Sequence, residues 1–286
     1  MQLLLGILLA LLIAFLAYRA QTLSRSGAYA AILVGTIIFG IGGLSWAILL
    51  MAFFITSSGL SRAFKKSKAD LNEKFSKGHE RDAGQVFGNG GIATLFAALH
   101  GLIPAAAWPW LGFAAALAAV NADTWATELG VLNPTAPRLI SDLRKRVDKG
   151  TSGGVSLWGT LASLTGSAVI AALAALLSPT GHWSLFLLIT VSGLLGSFFD
   201  SLLGATVQGI YYCPTCEKET ERHPLHTCGT RTDQIRGWNW LDNDWVNFGC
   251  GMAGVVAALL LTAVLKIGFI LRSGSGPFPM WGRFRR

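Results

Sequence analysis

The chain has 286 residues, of which 52% are hydrophobic and only 13% charged, and its mean hydropathy is +0.51. These values exclude an ordinary soluble domain and place the chain among polytopic helical membrane proteins. The formal net charge of +8 matches cytoplasmic loops enriched in Lys and Arg. Because the positive residues sit in loops between apolar runs, the charge argues for lipid headgroups and phosphorylated substrates rather than nucleic acid.

A spanning helix needs about 20 mostly apolar residues. In chain order the candidates are 3–18, 28–44, 45–60, 89–107, 109–132, 155–177, 183–207 and 244–271. The fold expected is therefore all-α, a transmembrane bundle of seven or eight spans forming one domain over 1–271. Cytoplasmic loops are expected at 61–88, 133–154 and 208–243, and a basic tail at 272–286. Met1 and Gln2 run into the first apolar stretch without a basic segment, the pattern of an uncleaved first span. Gly40, Gly42 and Gly43 suggest a tight turn between the second and third spans.

Positive residues follow alternate spans. Arg19 and Arg25 follow the first, and a set from Arg62 through Lys65, Lys66, Lys68, Lys74 and Lys77 to Arg81 follows the third. Arg138, Arg144, Lys145, Arg146 and Lys149 follow the fifth. Lys218, Arg222, Arg231 and Arg236 follow the seventh. This alternation places all four loops in the cytoplasm and the N-terminus outside. Arg272, Arg283, Arg285 and Arg286 oppose it. Either the last span is re-entrant, or an early segment does not cross, or the tail is an exception.

Ionisable residues inside spans are costly and usually face a bundle interior or a polar cavity. Asp123 and Glu128 lie in the fifth span and Asp200 in the seventh. At 100° per residue, Asn121, Thr124 and Glu128 share one helix face, and Asp123 and Thr127 share the opposite one. Either the helix unwinds near Asp123 or the two acids do different jobs. Asp200 lies on a stripe with Gly193, Gly196 and Gly204, which permits close helix packing. It either pairs with an Arg or meets Asp123 to share a cation. Mg²⁺ is usually held by one or two carboxylates plus substrate phosphates, so Asp123 and Asp200 with a nucleotide suit it.

Lys149-Gly150-Thr151-Ser152-Gly153-Gly154 resembles no Walker A motif. Its glycines nevertheless let backbone N–H groups approach a phosphate at the start of the next helix. Lys149 adds a point charge and Arg138 a bidentate contact. The plainer reading is a loop leading into a helix capped by Thr151 or Ser152. Two further polar junctions lie at the same level: Asp82, Gln85 and Asn89, and the run from Asp242 through Asp244 to Asn247. Each suits an ordinary N-cap, and together they argue for a site. His100 reads as interfacial.

Cys213-Pro214-Thr215-Cys216, followed by His223, His226 and Cys228, has the ligand types of tetrahedral Zn²⁺. The favoured set is Cys213, Cys216, His226 and Cys228, a closed and therefore structural site. A free-thiol or redox role is the alternative.

Five segments together carry a family resemblance: 121–130 (NADTWATELG), 137–140 (PRLI), 150–156 (GTSGGVS), 200–205 (DSLLGA) and 243–247 (NDWVN). They resemble the integral membrane family that includes animal transmembrane protein 19 and the plant phytyl-phosphate kinase of vitamin E synthesis. The layout is more distantly similar to CTP-dependent dolichol and phytol kinases and to CDP-lipid synthases. The resemblance implies nucleotide-dependent phosphorylation of an isoprenyl monophosphate, of phytyl or geranylgeranyl type, to the diphosphate at the cytoplasmic membrane face. The nucleoside triphosphate, with CTP a candidate, would dock on Lys149, Gly150, Thr151, Ser152, Gly153, Gly154 and Arg138. Mg²⁺ would bridge its phosphates to Asp123 and Asp200. Glu128, Asn89, Asp244 and Asn247 are candidates for orienting ligands. A lipid or small-molecule transporter or flippase with an intramembrane acidic site is the rival class.

Overall fold

The computed structural model describes residues 1–64, 80–178 and 183–265. Lys65, Lys66, Lys68, Lys74, Lys77 and the whole 272–286 tail lie outside these.

Among the described residues eight α-helices form: α1 (Gln2–Arg19), α2 (Arg25–Ile37), α3 (Leu44–Ala63), α4 (Ala83–Leu102), α5 (Trp108–Gly130), α6 (Leu157–Leu177), α7 (Trp183–Thr206) and α8 (Asn243–Val264). A π-helical turn, Ile38–Gly42, extends α2. Gly43, at φ 80°, then reverses the chain into α3, where the glycine cluster suggests a turn. α4 begins six residues before the expected span. Asp82 accepts from the Gln85 amide while the Gln85 side chain accepts from the Asp82 amide, and this reciprocal cap starts the helix ahead of its apolar run.

Contacts between helix ends define an up-and-down bundle. Thr22 and Ser24 of the first connection hydrogen-bond the Arg81 backbone. A Cβ at Gly88 of α4 would touch Asp244 at the start of α8, and one at Gly130 of α5 would touch Gly159 near the start of α6. Gly101 near the end of α4 meets Ile41 at the other end of the bundle. The four basic connections therefore gather at one end. There, exposed Trp158 and Trp245 stand at the starts of α6 and α8, as tryptophans do at a membrane interface.

α5 is the central post. Every residue from Pro109 to Ala122 is buried, enclosed by α3, α4, α6, α7 and α8. Asn121 bridges across the bundle: its side chain donates to the Gly166 carbonyl of α6 at 2.7 Å and accepts from Thr56 of α3 at 3.1 Å. At the bundle end opposite the basic connections, Trp46 packs against His100, Trp110 and Phe113 with ring centroids 4.6–5.2 Å apart. α1 lies at the periphery with Leu3, Leu4, Leu5, Leu8, Leu12, Phe15 and Leu16 exposed, an apolar face suited to lipid. Among the described residues six helices are long and apolar enough to cross a membrane; α4 and α5 are the two described helices outside that set. α5 is enclosed by its neighbours, so it does not need a wholly apolar surface.

The connections carry two small antiparallel sheets that the sequence reading does not anticipate. β1 (Arg138–Leu139), β2 (Asp142–Arg146) and β3 (Gly154–Val155) form the first, in the order β2-β1-β3. β4 (Ile210–Cys213), β5 (Lys218–Thr220) and β6 (Asp233–Arg236) form the second, in the order β5-β4-β6.

Candidate active site

α5 is one uninterrupted helix, so helical phase separates its two acids. Asp123, Ala126, Thr127 and Gly130 face a cleft of about 140 Å³ at the loop end of the bundle. Glu128 faces the other way. It is buried, accepts from the Ser61 hydroxyl at 2.7 Å and lies within the field of Arg81. Burial lowers the Arg81 guanidinium to about 10, still leaving it charged at neutral pH. The two acids thus do different jobs, and Glu128 belongs to the α3–α5 contact.

Asp200 reaches the cleft from α7. There its carboxyl group comes close to that of Asp123, and both line the cleft. The stripe of small residues makes this approach possible. A Cβ on Gly193 would fall 2.9 Å from Ala118 of α5, and one on Gly196 2.5 Å from the Ala119 side chain. Asp200 Oδ2 is buried and receives no hydrogen bond from a protein donor among the described residues. Two carboxyl groups in contact, one with an unsatisfied oxygen beside a polar cleft, fit a hard cation such as Mg²⁺.

The glycine-rich turn forms the facing wall, with Lys149 to Ser156 all lining the cleft. Gly150 and Gly153 have φ of 76° and 84°, left-handed conformations that side chains disfavour. Gly153 also seats directly on α7, where a Cβ would come within 2.6 Å of Ala205 backbone and side-chain atoms. Lys149 Nζ donates to the Val131 carbonyl at the end of α5 at 3.0 Å. The cap of α6 is neither Thr151 nor Ser152. Because β3 intervenes, Ser156 caps the helix, accepting from the Gly159 amide.

Four other sequence candidates lie elsewhere. Arg138 is exposed on β1 and donates to the Leu143 carbonyl at 2.6 Å, so it closes a hairpin and does not line the cleft. Asn89 donates to the Gln85 carbonyl at 2.8 Å and lines a separate apolar groove among α1 to α4. Asn247 donates to the Asn243 carbonyl at 2.9 Å. Asp244, whose amide is held by the capping Asp242, packs its backbone on Gly88. From that junction it is Asn243 that lines the cleft.

The sequence reading misses Glu221. This residue lines the cleft, and its charge acts on Asp200. Glu221 Oε1 accepts from both Ser152 Oγ and Gln208 Nε2, each at 3.0 Å. Beyond it the cleft continues into a polar hollow of about 210 Å³ that shares Gln208, Glu221 and Asn243 and adds Tyr211, His223 and Arg222. No local motif marks Glu221; its position depends on the second sheet.

Along the segment from β4 to β6, Cys213, Cys216, His226 and Cys228 place one donor atom each within 4.8 Å of one another. The Cys213 and Cys228 sulfurs are 3.6 Å apart and His226 Nδ1 is 3.3 Å from Cys228. Ligands at about 2.3 Å around a tetrahedral ion stand about 3.8 Å apart, so the donor set fits a metal ion. Hydrogen bonds from Thr230 and His226 lower the Cys228 thiol to about 6, while its hydrogen bond with Cys228 and burial push Cys216 up to about 12. His223 stays out of the cluster, stacked on Tyr211 with centroids 4.5 Å apart.

A bundle of apolar helices with an acidic pair and a glycine-rich turn at one end defines a multi-pass integral membrane protein. The chain matches the family described as Integral membrane protein DUF92 over residues 8–255 and belongs to it. Among curated relatives, Protein PGR of Arabidopsis thaliana is 32% identical over 93% of this chain and 96% of its own length. An uncharacterized membrane protein of Methanocaldococcus jannaschii is 33% identical over 71% of this chain and 82% of its own. Protein VTE6, chloroplastic, of Arabidopsis thaliana is 25% identical over 85% of this chain and 67% of its own. No solved structure matches the chain.

Proposed function

We propose that this protein is a nucleotide-dependent kinase that converts an isoprenyl monophosphate to the diphosphate at the cytoplasmic face of the membrane. The observation that carries this reading is the convergence of the Asp123–Asp200 carboxyl pair and the Lys149–Ser156 turn on one cleft. The family membership and the similarity to Protein VTE6 support it.

In this reading the turn's backbone N–H groups and Lys149 bind the phosphates of a nucleoside triphosphate. The hollow beyond Glu221 receives its nucleoside. Asp123 and Asp200 hold Mg²⁺, which when bound neutralises phosphate charge and polarises the transferred group. An oxygen of the lipid phosphate forms a bond to the γ-phosphorus as the bond to the β–γ bridging oxygen breaks, and nucleoside diphosphate leaves. The acceptor is already anionic. The protein therefore has to position two phosphates and screen their repulsion, and a general base is not required. Cys213, Cys216, His226 and Cys228 hold a structural Zn²⁺.

The transporter reading is less well supported. The polar groups gather at one end of the bundle, and below them α5 is sheathed in apolar contacts, whereas transporter sites lie near the bilayer midplane. The deciding experiment supplies purified protein with phytyl phosphate or geranylgeranyl phosphate, Mg²⁺ and each nucleoside triphosphate. Diphosphate formation is expected, and no turnover with any pairing overturns the reading.

A further inference from the structure

Glu221 links parts of the molecule that are far apart in sequence. It follows β5 directly, and β5 pairs with β4 so that Cys213 stands opposite Lys218 and Tyr211 opposite Thr220. The β4–β5 hairpin turn therefore carries Cys216, and Cys213 ends its first strand. On the far side of Glu221, the chain is laced to the stretch that supplies His226 and Cys228. Thr232 donates its hydroxyl to the Arg222 carbonyl at 3.0 Å and its amide to the Pro224 carbonyl, and the His226 amide bonds the Thr230 carbonyl. Glu221 is thus held between the two halves of the cysteine cluster. Its Oε1 collects one bond from Ser152 in the glycine-rich turn and another from Gln208 just past α7. Ser152 lies 69 residues away and Gln208 13, so one carboxylate oxygen ties the hairpin to both the turn and the end of the helix bearing Asp200.

We propose that Glu221 is a positioning residue through which the cysteine-rich hairpin clamps the glycine-rich turn, so that metal in the hairpin governs how firmly the turn is held. The clamp stands on geometry alone; its effect on catalysis rests on the kinase reading.

The test uses the full chain in detergent and follows amide hydrogen exchange over residues 149–156, with α7 as the reference for global folding. Glu221→Ala removes both acceptor bonds and should speed exchange in the turn at least tenfold while metal content stays at the wild-type level. Glu221→Gln keeps an Oε1 acceptor and should rescue most of the protection. Ser152→Ala breaks the turn's side of the clamp without touching the hairpin and should match Glu221→Ala. Stripping metal from wild type should speed exchange in the turn to the same extent, and stripping it from Glu221→Ala should add nothing.

Unchanged exchange in Glu221→Ala or Ser152→Ala overturns the clamp. A metal effect that persists in full in Glu221→Ala overturns the route through Glu221. If the protein turns over, Glu221→Ala should raise KM for the nucleotide more than it lowers kcat, and Glu221→Gln should restore most of the loss. Absence of turnover in wild type counts against the kinase reading alone, because the exchange result still decides the clamp.

Discussion

Gly153→Ala probes whether the turn is a phosphate cradle. Gly153 sits at φ 84°, where an L side chain costs about 1–2 kcal/mol. The new Cβ would also lie 2.5 Å from both the Ala205 amide nitrogen and its Cβ, and 2.6 Å from its Cα. Ordinary van der Waals contact begins near 3.4 Å, so the turn must retreat from α7 by roughly 1 Å. Overpacking of this kind costs about 1–3 kcal/mol, giving a total of about 2–5 kcal/mol against the seated turn. A 1 Å misplacement alone can lower a rate about 100-fold. Nucleotide affinity, measured by calorimetry on detergent-solubilised protein, should fall at least about 30-fold, since each 1.4 kcal/mol is about a factor of ten. Ala205→Gly in the same chain should not restore it, because two of the three obstructing atoms are backbone. Wild-type affinity in Gly153→Ala, or full rescue by Ala205→Gly, would refute this account of the turn.

Asp123→Asn and Asp200→Asn should each lower diphosphate formation at least about 1,000-fold with little change in thermal unfolding; full activity in either removes that residue from the cation site. Glu128→Gln should behave in the opposite way. It faces Ser61 and Arg81, so thermal unfolding should report a loss of about 1–3 kcal/mol while Mg²⁺-dependent turnover stays within a few-fold. Lys149→Ala should weaken nucleotide binding about tenfold in the same calorimetric assay, whereas Arg138→Ala should leave it within twofold, since the Arg138 guanidinium closes a hairpin. Metal analysis should find about one zinc per chain, lost in Cys213→Ser; a variant retaining all of it refutes the four-ligand site.

The parts of the site that depend on helical phase are legible in the sequence. The 100° step separates Asp123 from Glu128, and the glycine spacing around Asp200 marks the face that packs on α5. The sheets are not legible: strands of two to five residues, with β2 exposed throughout, leave no alternating pattern to read. The places of Arg138 and Glu221 are hidden from the sequence for the same reason. Strand pairing turns Arg138 toward the Leu143 carbonyl and carries Glu221 into the cleft. Asn89 is ambiguous in the sequence because a polar residue near a helix start looks alike whether it faces a site or satisfies its own helix backbone.

The burial of α5 bears on how the chain is made. Its partners α6, α7 and α8 are all synthesised after it. Until they arrive, the α4–α5 hairpin carries Asn121 and Asp123 without the Gly166 carbonyl or the Asp200 carboxyl to receive them. Lipid offers no substitute for those partners, so the hairpin cannot settle in its final place when it leaves the ribosome. A chain that stops before α6 should be retained by the insertion machinery or degraded. Translation of the second half thereby completes the membrane integration of the first.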